Sequence, residues 1–230
     1  MGAMELNDVQ VELEGYACRL GLARFEAVEV KESPPGLLDE ISQLVNDYVA
    51  RSVEMPEEFV KGVRDTLRQG GFKPSGRNRP ASEWLLRDLA ESGEFHFVNN
   101  LVDINNLLSL RHFLPMSVVD AGKFSGEAHL RLGYEKERYV FNPSGQELDL
   151  TGLIVVADSY GGASRAMGSP IKDSQFAKLS DETTSALAVV YANPRLVNEL
   201  HMEQILSEWA DLARKFAGAH SAQTRVIAAE

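Results

Sequence analysis

The stretch NNLVDINNLLSLRHFLPMSVVD, residues 99–120, decides how this chain is read. Its first half places Leu101, Ile104, Leu107 and Leu108 three and four residues apart, the spacing of a helix with one apolar side. Pro115 closes that pattern, and Met116, Ser117, Val118, Val119 and Asp120 follow as a short apolar run that reads as a strand. Upstream of this boundary the periodicity is mostly helical. Proline opens helices at Pro34-Pro35, Pro56 and Pro80, where a first-turn proline costs no hydrogen bond. Their apolar faces carry Leu37, Ile41 and Leu44, then Phe59, Val63 and Leu67, then Trp84, Leu85 and Leu89. Gly70-Gly71 and Gly93 are the expected stops. Before them, residues 9–14 and 25–30 alternate as two strands around a 15–21 connection. Downstream, strands are expected at 116–120, 127–132, 138–141, 153–157 and 186–191, and a long helix from about 195 to 216 with Gly218 as its stop. Helices, then strands, then a helix imply an α+β fold rather than alternating βαβ units. No repeat or linker interrupts the chain, so residues 1–230 are expected to form one domain: a helical part to about 98, a core over 99–192, and the helix at 195–217.

Composition narrows the function classes. A 230-residue chain that is 44% hydrophobic and 25% charged can bury a full core without disulfides or structural metals. No apolar run approaches the ~20 residues that span a bilayer, and Glu5 and Asp8 stand where a secretory leader would be apolar. Met1-Gly2-Ala3-Met4 offers two start residues. A soluble, cytoplasmic protein with no membrane partner is the expectation, and the lone Cys18 fits a reducing compartment. The five histidines show no paired ligand spacing, so neither a metal nor a cofactor is expected. The net charge, 23 − 34 = −11, argues against DNA binding or any wrapping of nucleic acid by phosphate neutralisation. It leaves room for a local basic mouth. Residues 72–80 supply one, with Lys73, Arg77 and Arg79 and no acid.

No dinucleotide fingerprint, P-loop or nucleophile elbow occurs. Gly161-Gly162-Ala163-Ser164 is either a phosphate cradle or a plain turn. Three other polar stretches are harder to explain by solvation. Four asparagines and Asp103 are interleaved with core residues over 99–106, either as a cap network or as the wall of a pocket. Ala157, Asp158 and Ser159 follow the most apolar strand, at a position where ligands often bind. Gly168, Ser169, Asp173 and Ser174 belong to a turn-dense segment that is either a loop or a binding rim.

The order of these segments resembles the B3/B4 domain of the phenylalanyl-tRNA synthetase β subunit. Val102-Asp103-Ile104-Asn105-Asn106, then Pro115 and Asp120, is similar to its "VD-x-[TN]-N … P-x-x-x-x-D" signature. Arg131, the strand ending at Asp158, Gly168 and Glu182-Thr183 follow in the family's order. The likeness covers about residues 79–191, and the helices before it resemble freestanding B3/B4 proteins. The resemblance implies a β-barrel-like mixed core and a tRNA-binding editing function, the hydrolysis in trans of mischarged aminoacyl-tRNA gripped at its acceptor end. A non-catalytic tRNA- or synthetase-binding module, or a binder of free amino acids or nucleosides, are the alternatives. Full synthetase activity is not implied, for the chain has no ATP-binding signature. Carried over residue by residue, the catalytic set is Asn106, Ser117 and Asp173. Asn105, Ala157, Asp158, Ser159, Gly168, Ser169 and Ser174 would bind substrate, and Lys73, Arg77 and Arg79 the tRNA. Ser117 stands where the family has a histidine, and a serine hydroxyl is no general base near neutral pH.

Overall fold

The computed structural model describes residues 5–229; the start at residues 1–4 lies outside them. Two four-stranded sheets make the core. Strands β1 (Gln10–Glu12), β4 (Glu127–Leu132), β7 (Ile154–Tyr160) and β8 (Ala163–Gly168) form one, in the order β1-β4-β7-β8. The other runs β10 (Ser221–Ala229), β2 (Cys18–Glu26), β9 (Ser185–Ala192), β3 (Met116–Asp120) and is antiparallel throughout. In the first sheet only β1 pairs in parallel, against β4. A hairpin of β5 (Arg138–Val140) and β6 (Glu147–Asp149) stands apart. Edge strands β3 and β8 pack together, joining the sheets. The architecture is α+β as the pattern implies, but the sheets stay open and form no closed barrel among the described residues.

Helices α1 (Pro35–Arg51), α2 (Glu57–Arg68), α3 (Ala81–Ser92) and α4 (Asn100–His112) precede most of the sheet, and α5 (Glu199–Ala217) follows it. Helix α5 lies on β2 and β10, with Trp209 fully buried and stacked on Phe25 at 4.7 Å. It begins at Glu199 rather than at 195 because Asn193 folds a turn there, accepting from Arg195 N, and Asn198 caps the helix through His201 N. No helix is long and apolar enough to cross a membrane among these residues.

Several strands differ from the sequence expectation, β6 among them, which no expected strand covers. The first of the 9–14 and 25–30 pair is short, and β2 runs through residues 18–26 instead of starting at 25. Gly21 suggested a break, yet it is a close-approach glycine: a Cβ there would collide with Met202 of α5. Ala27, at φ 54°, ends the strand. Strand β10 carries little pattern in the sequence because its residues are small or half-polar; it pairs with β2 along its full nine residues.

The asparagine cluster divides at its middle. Asn99 caps α4 by accepting from Val102 N at 3.0 Å. Asn100, fully buried, donates to Glu29 O and Phe216 O and accepts from Lys31 N and Leu101 N. Asp103 accepts from Ser33 Oγ at 2.6 Å and Val98 N at 2.9 Å, and burial raises its pKa. Asn100 and Asp103 tie α4 to the chain before α1, and Asn100 ties it to the end of α5. The next two, Asn105 and Asn106, point to a different task.

Candidate functional site

A cleft of about 220 Å³ opens between α3, α4, β3 and the segment after β8. Asn105 and Asn106 line it from α4, Met116 and Val118 from β3, Trp84 and Leu85 from α3, and Ser169, Lys172 and Asp173 from the loop. The loop is pinned to α3 by Ala81 N donating to Pro170 O at 2.9 Å. Asp173 is partly open to the cleft, but protein packs closely round its carboxylate. It accepts from Val118 N and Ser169 N, both at 3.3 Å. Burial pushes its pKa up to about 7, while the two amides and the charge of Lys178 act against that rise. The carboxyl therefore changes protonation state near neutrality, the property of a proton-transfer group.

Gly168 makes this convergence possible. A Cβ there would lie 2.8 Å from Asp173 Oδ1 and 3.2 Å from Ser117 Oγ. Ser117 is fully buried behind the cleft, its Oγ 3.2 Å from the Tyr191 hydroxyl, whose pKa burial raises. Gly168→Ala is expected to destabilise by about 1–3 kcal/mol, the usual cost of overpacking, and to move Asp173. Urea denaturation checks the first and the titration of the carboxyl the second; an unshifted Asp173 in a fully stable variant would show that the contact is slack.

Asn105 is buried, with its Nδ2 at a long 3.5 Å from both Asn106 Oδ1 and Met116 O, and its Oδ1 has no partner. If Asn106 Oδ1 faces Asn105, its Nδ2 is left as a donor toward the cleft. His112, the nearest histidine in sequence, bonds Glu208 of α5 at 2.8 Å and takes no part in the cleft.

A second cleft of about 520 Å³ shares Trp84 and Lys172 with the first and adds Arg77, Phe141 and Gln146. The Lys172 ammonium sits 4.1 Å over the Phe141 ring and 6.0 Å from Trp84. Burial lowers its pKa, helped by repulsion from Arg77 and Lys178. Of the three cations in the 72–80 loop, only Arg77 lines this mouth. Lys73 points to solvent elsewhere, and Arg79 lies 3.6 Å from Glu83, a carboxylate that Arg64 already holds bidentately. Lys172 is not among the residues the sequence singles out, although it adjoins Asp173; a cation beside an acid in a turn-dense segment is the signal it offers.

Of the remaining sequence-derived residues, Ser169 meets Asn106 and Asp173 in the cleft, and Ala157, Asp158, Ser159 and Ser174 do not line it. Asp158 Oδ1 accepts from Ser125 N and Gly126 N at 3.0 and 2.9 Å, fastening the turn before β4 rather than facing the cleft. Ala157 is buried within the sheet, and Ser159 pairs with Glu127 and Ser164 along β7. Ser174 caps a turn through Phe176 N. Ser169, though it lines the cleft, is also a structural hub: its Oγ is 2.9 Å from the Tyr139 hydroxyl, which donates to Lys172 O. Asp120 accepts from Thr183 Oγ1 at 2.8 Å, joining two motif residues for a structural purpose. Arg131, 2% exposed, is held bidentately by Glu137 at 2.8 Å. Among the described residues no group of three His, Cys, Asp or Glu is placed to hold a metal.

Comparison with known proteins bears on this arrangement. No curated protein matches the chain. A solved structure, an N-terminal fragment of the phenylalanyl-tRNA synthetase β subunit from Pyrococcus horikoshii, is similar at 12% identity and a TM-score of 0.47. The similarity covers 97% of this chain and 52% of that one, so this chain spans about half of the fragment's length. The family model of the B3/4 domain matches residues 72–210, which include both clefts, α4, and the sheet strands from β3 to β9. The chain belongs to the B3/4 domain family.

Proposed function

We propose that this protein hydrolyses the ester of mischarged aminoacyl-tRNA in trans. The observation that carries the reading is the junction of two clefts. A small one holds Asn106 and a carboxyl titrating near neutrality; a larger one carries Arg77 and Lys172 beside the Trp84 and Phe141 rings. At about 220 Å³ the inner cleft falls below the ~300–1,000 Å³ of drug-sized sites and suits an aminoacyl group. The outer cleft offers cations for a phosphate and rings for the terminal base.

An aminoacyl ester is activated, so a positioned water and one donor for the developing oxyanion go far. In this reading ionised Asp173 takes a proton from water as the water oxygen bonds to the carbonyl carbon. Asn106 Nδ2 donates to the carbonyl oxygen as charge builds there. The bond from carbon to the ribose oxygen then breaks, and the departing oxygen takes the proton back from Asp173. Free amino acid and a tRNA with a free terminal hydroxyl result. Ser117 holds the back wall rather than acting as a base, which answers the loss of the family histidine.

The two clefts separate in kinetics. Asn106→Ala is expected to lower kcat by about 10²–10³-fold, the worth of one oxyanion donor, with KM little changed. Arg77→Ala is expected to raise KM with kcat retained, and by a smaller factor at higher salt, where the charge it removes is already screened. An Asn106→Ala protein with the parent's kcat would remove the amide from the reaction.

A further inference from the structure

A concavity of about 850 Å³, larger than either cleft above, lies on the other side of the β5–β6 hairpin and has no part in the hydrolysis proposed above. Its walls are β5, the β7–β8 hairpin and the turn at residues 174–176. Asp158 and Arg165 are direct cross-strand partners, so their side chains stand on one face with Tyr160 and Ala163. Such a pair would ordinarily form an ion pair. It does not form here. Asp158 is turned to the amides of Ser125 and Gly126, and the Arg165 guanidinium carbon sits over the Phe176 ring, 4.3 Å from its centre. Among the described residues Arg165 forms no ion pair, and it lines the concavity. Glu137, the other carboxylate on the wall, is spent on Arg131.

Two exposed aromatic rings share this concavity with the cation. Tyr160 is 64% exposed and Phe176 48% exposed, so both rings have surface free to stack on a flat partner. The tip beside Tyr160 is the Gly161-Gly162 turn, at φ 61° and 81°, so the pair serves as a hairpin turn and presents Tyr160 at the rim. Arg138 adds a second cation, only loosely paired with Glu147 and Asp149 at 3.7 and 3.6 Å. An unpaired guanidinium against one ring, with the exposed Tyr160 phenol in the same concavity, suits a nucleotide: the phosphate on the guanidinium, the base stacked on the phenol.

We infer that this cleft is a nucleotide-binding site, with Arg165 holding a phosphate and Tyr160 stacking a base, separate from the cleft of Asn106 and Asp173. The ligand is either a free nucleotide or a nucleotide within single-stranded RNA, which share this chemistry. The test uses the full chain and fluorescence anisotropy of a labelled single-stranded RNA tetranucleotide, with unlabelled AMP as competitor, at two salt concentrations. The expected result is saturable binding that weakens with salt and falls by about fivefold or more in both Tyr160→Ala and Arg165→Gln, the loss that one stacked base at ~1 kcal/mol implies. Both residues are exposed enough to be changed without unfolding, and circular dichroism verifies that. Full displacement by AMP at comparable affinity identifies a free nucleotide; displacement only by RNA identifies a strand. Absence of binding, or binding lost in Arg77→Ala and intact in Tyr160→Ala and Arg165→Gln, overturns the inference. Hydrolysis by Asn106→Ala and Asp173→Asn does not enter this readout, so either proposal can fail alone.

Discussion

Asp173→Asn is expected to lower ester hydrolysis by about 10²–10⁴-fold, the usual contribution of a general base, and at the same time to make the protein more stable above pH 7. The second effect follows from the first group's position. Burial holds the folded carboxyl near pKa 7, against about 3.9 for an unfolded aspartate. Between these values the unfolded chain carries a charge that the folded one does not, so the parent loses stability as pH rises from about 4 to about 7, then levels off. Three pK units correspond to roughly 4 kcal/mol at most. Asparagine never ionises and escapes that loss. It does give up one acceptor toward Val118 N or Ser169 N, a cost of about 1 kcal/mol that does not vary with pH. Urea denaturation of both proteins from pH 4 to 8 should show the variant's relative stability widening by up to about 4 kcal/mol and then flattening. A gap independent of pH would mean that Asp173 is an ordinary carboxylate and no base near neutrality. The parent's hydrolysis rate should rise with pH through about 7 in the same experiment's range.

The other large effect is on folding alone. Glu137→Gln is expected to destabilise by about 3–5 kcal/mol, the cost of leaving a buried charge without its partner. Arg131 is 2% exposed, and both Glu137 oxygens receive it at 2.8 Å; one also accepts from Tyr134 N. Burial alone would raise the Glu137 pKa, but the Arg131 bonds and charge win and the pKa is lowered. A depressed carboxylate contributes stability that is complete above its unfolded value, about 4.3, and is lost as pH falls through the folded value. The parent should therefore lose stability below about pH 4 in a step that Glu137→Gln lacks. If the variant unfolds at the parent's urea midpoint at pH 7, the pair is replaceable and Arg131 finds other partners. Leu132 O and Ser164 Oγ are the nearest ones.

Much of the fold was legible because each of its helices announces itself twice, by apolar spacing and by a terminal signal. Pro35, Glu57 after Pro56, and Ala81 after Pro80 begin α1, α2 and α3 within a residue or two of the expected points. Strands were legible where bulky apolar residues cluster, as in β3, β7 and β9. Where the cluster thins, pattern fails: β10 has only Val226 and Ile227 as large apolar residues and owes its place to β2. The site was legible as a set of polar residues without a plain structural purpose, but residue type could not tell a cap from a pocket wall. Asn99 and Asn100 are spent on backbone groups, whereas Asn105 and Asn106, a turn and a half further on, face the cleft. Asp158 was attractive for its position after an apolar strand, and only the turn at Ser125 and Gly126, more than thirty residues earlier, reveals what it holds. Lys172 acquires meaning from Trp84 and Phe141, neither of them near it in sequence.

The cleft of Asn106 and Asp173 stands or falls as a hydrolytic site on one measurement: the rate at which the parent protein releases amino acid from a panel of mischarged tRNAs at neutral pH. Clearance of one or a few of these species, well above the buffer rate and absent in Asp173→Asn, is the expected result, and the species cleared names the rejected amino acid. Buffer-rate loss across the whole panel, with the protein folded, would contradict hydrolysis at this cleft.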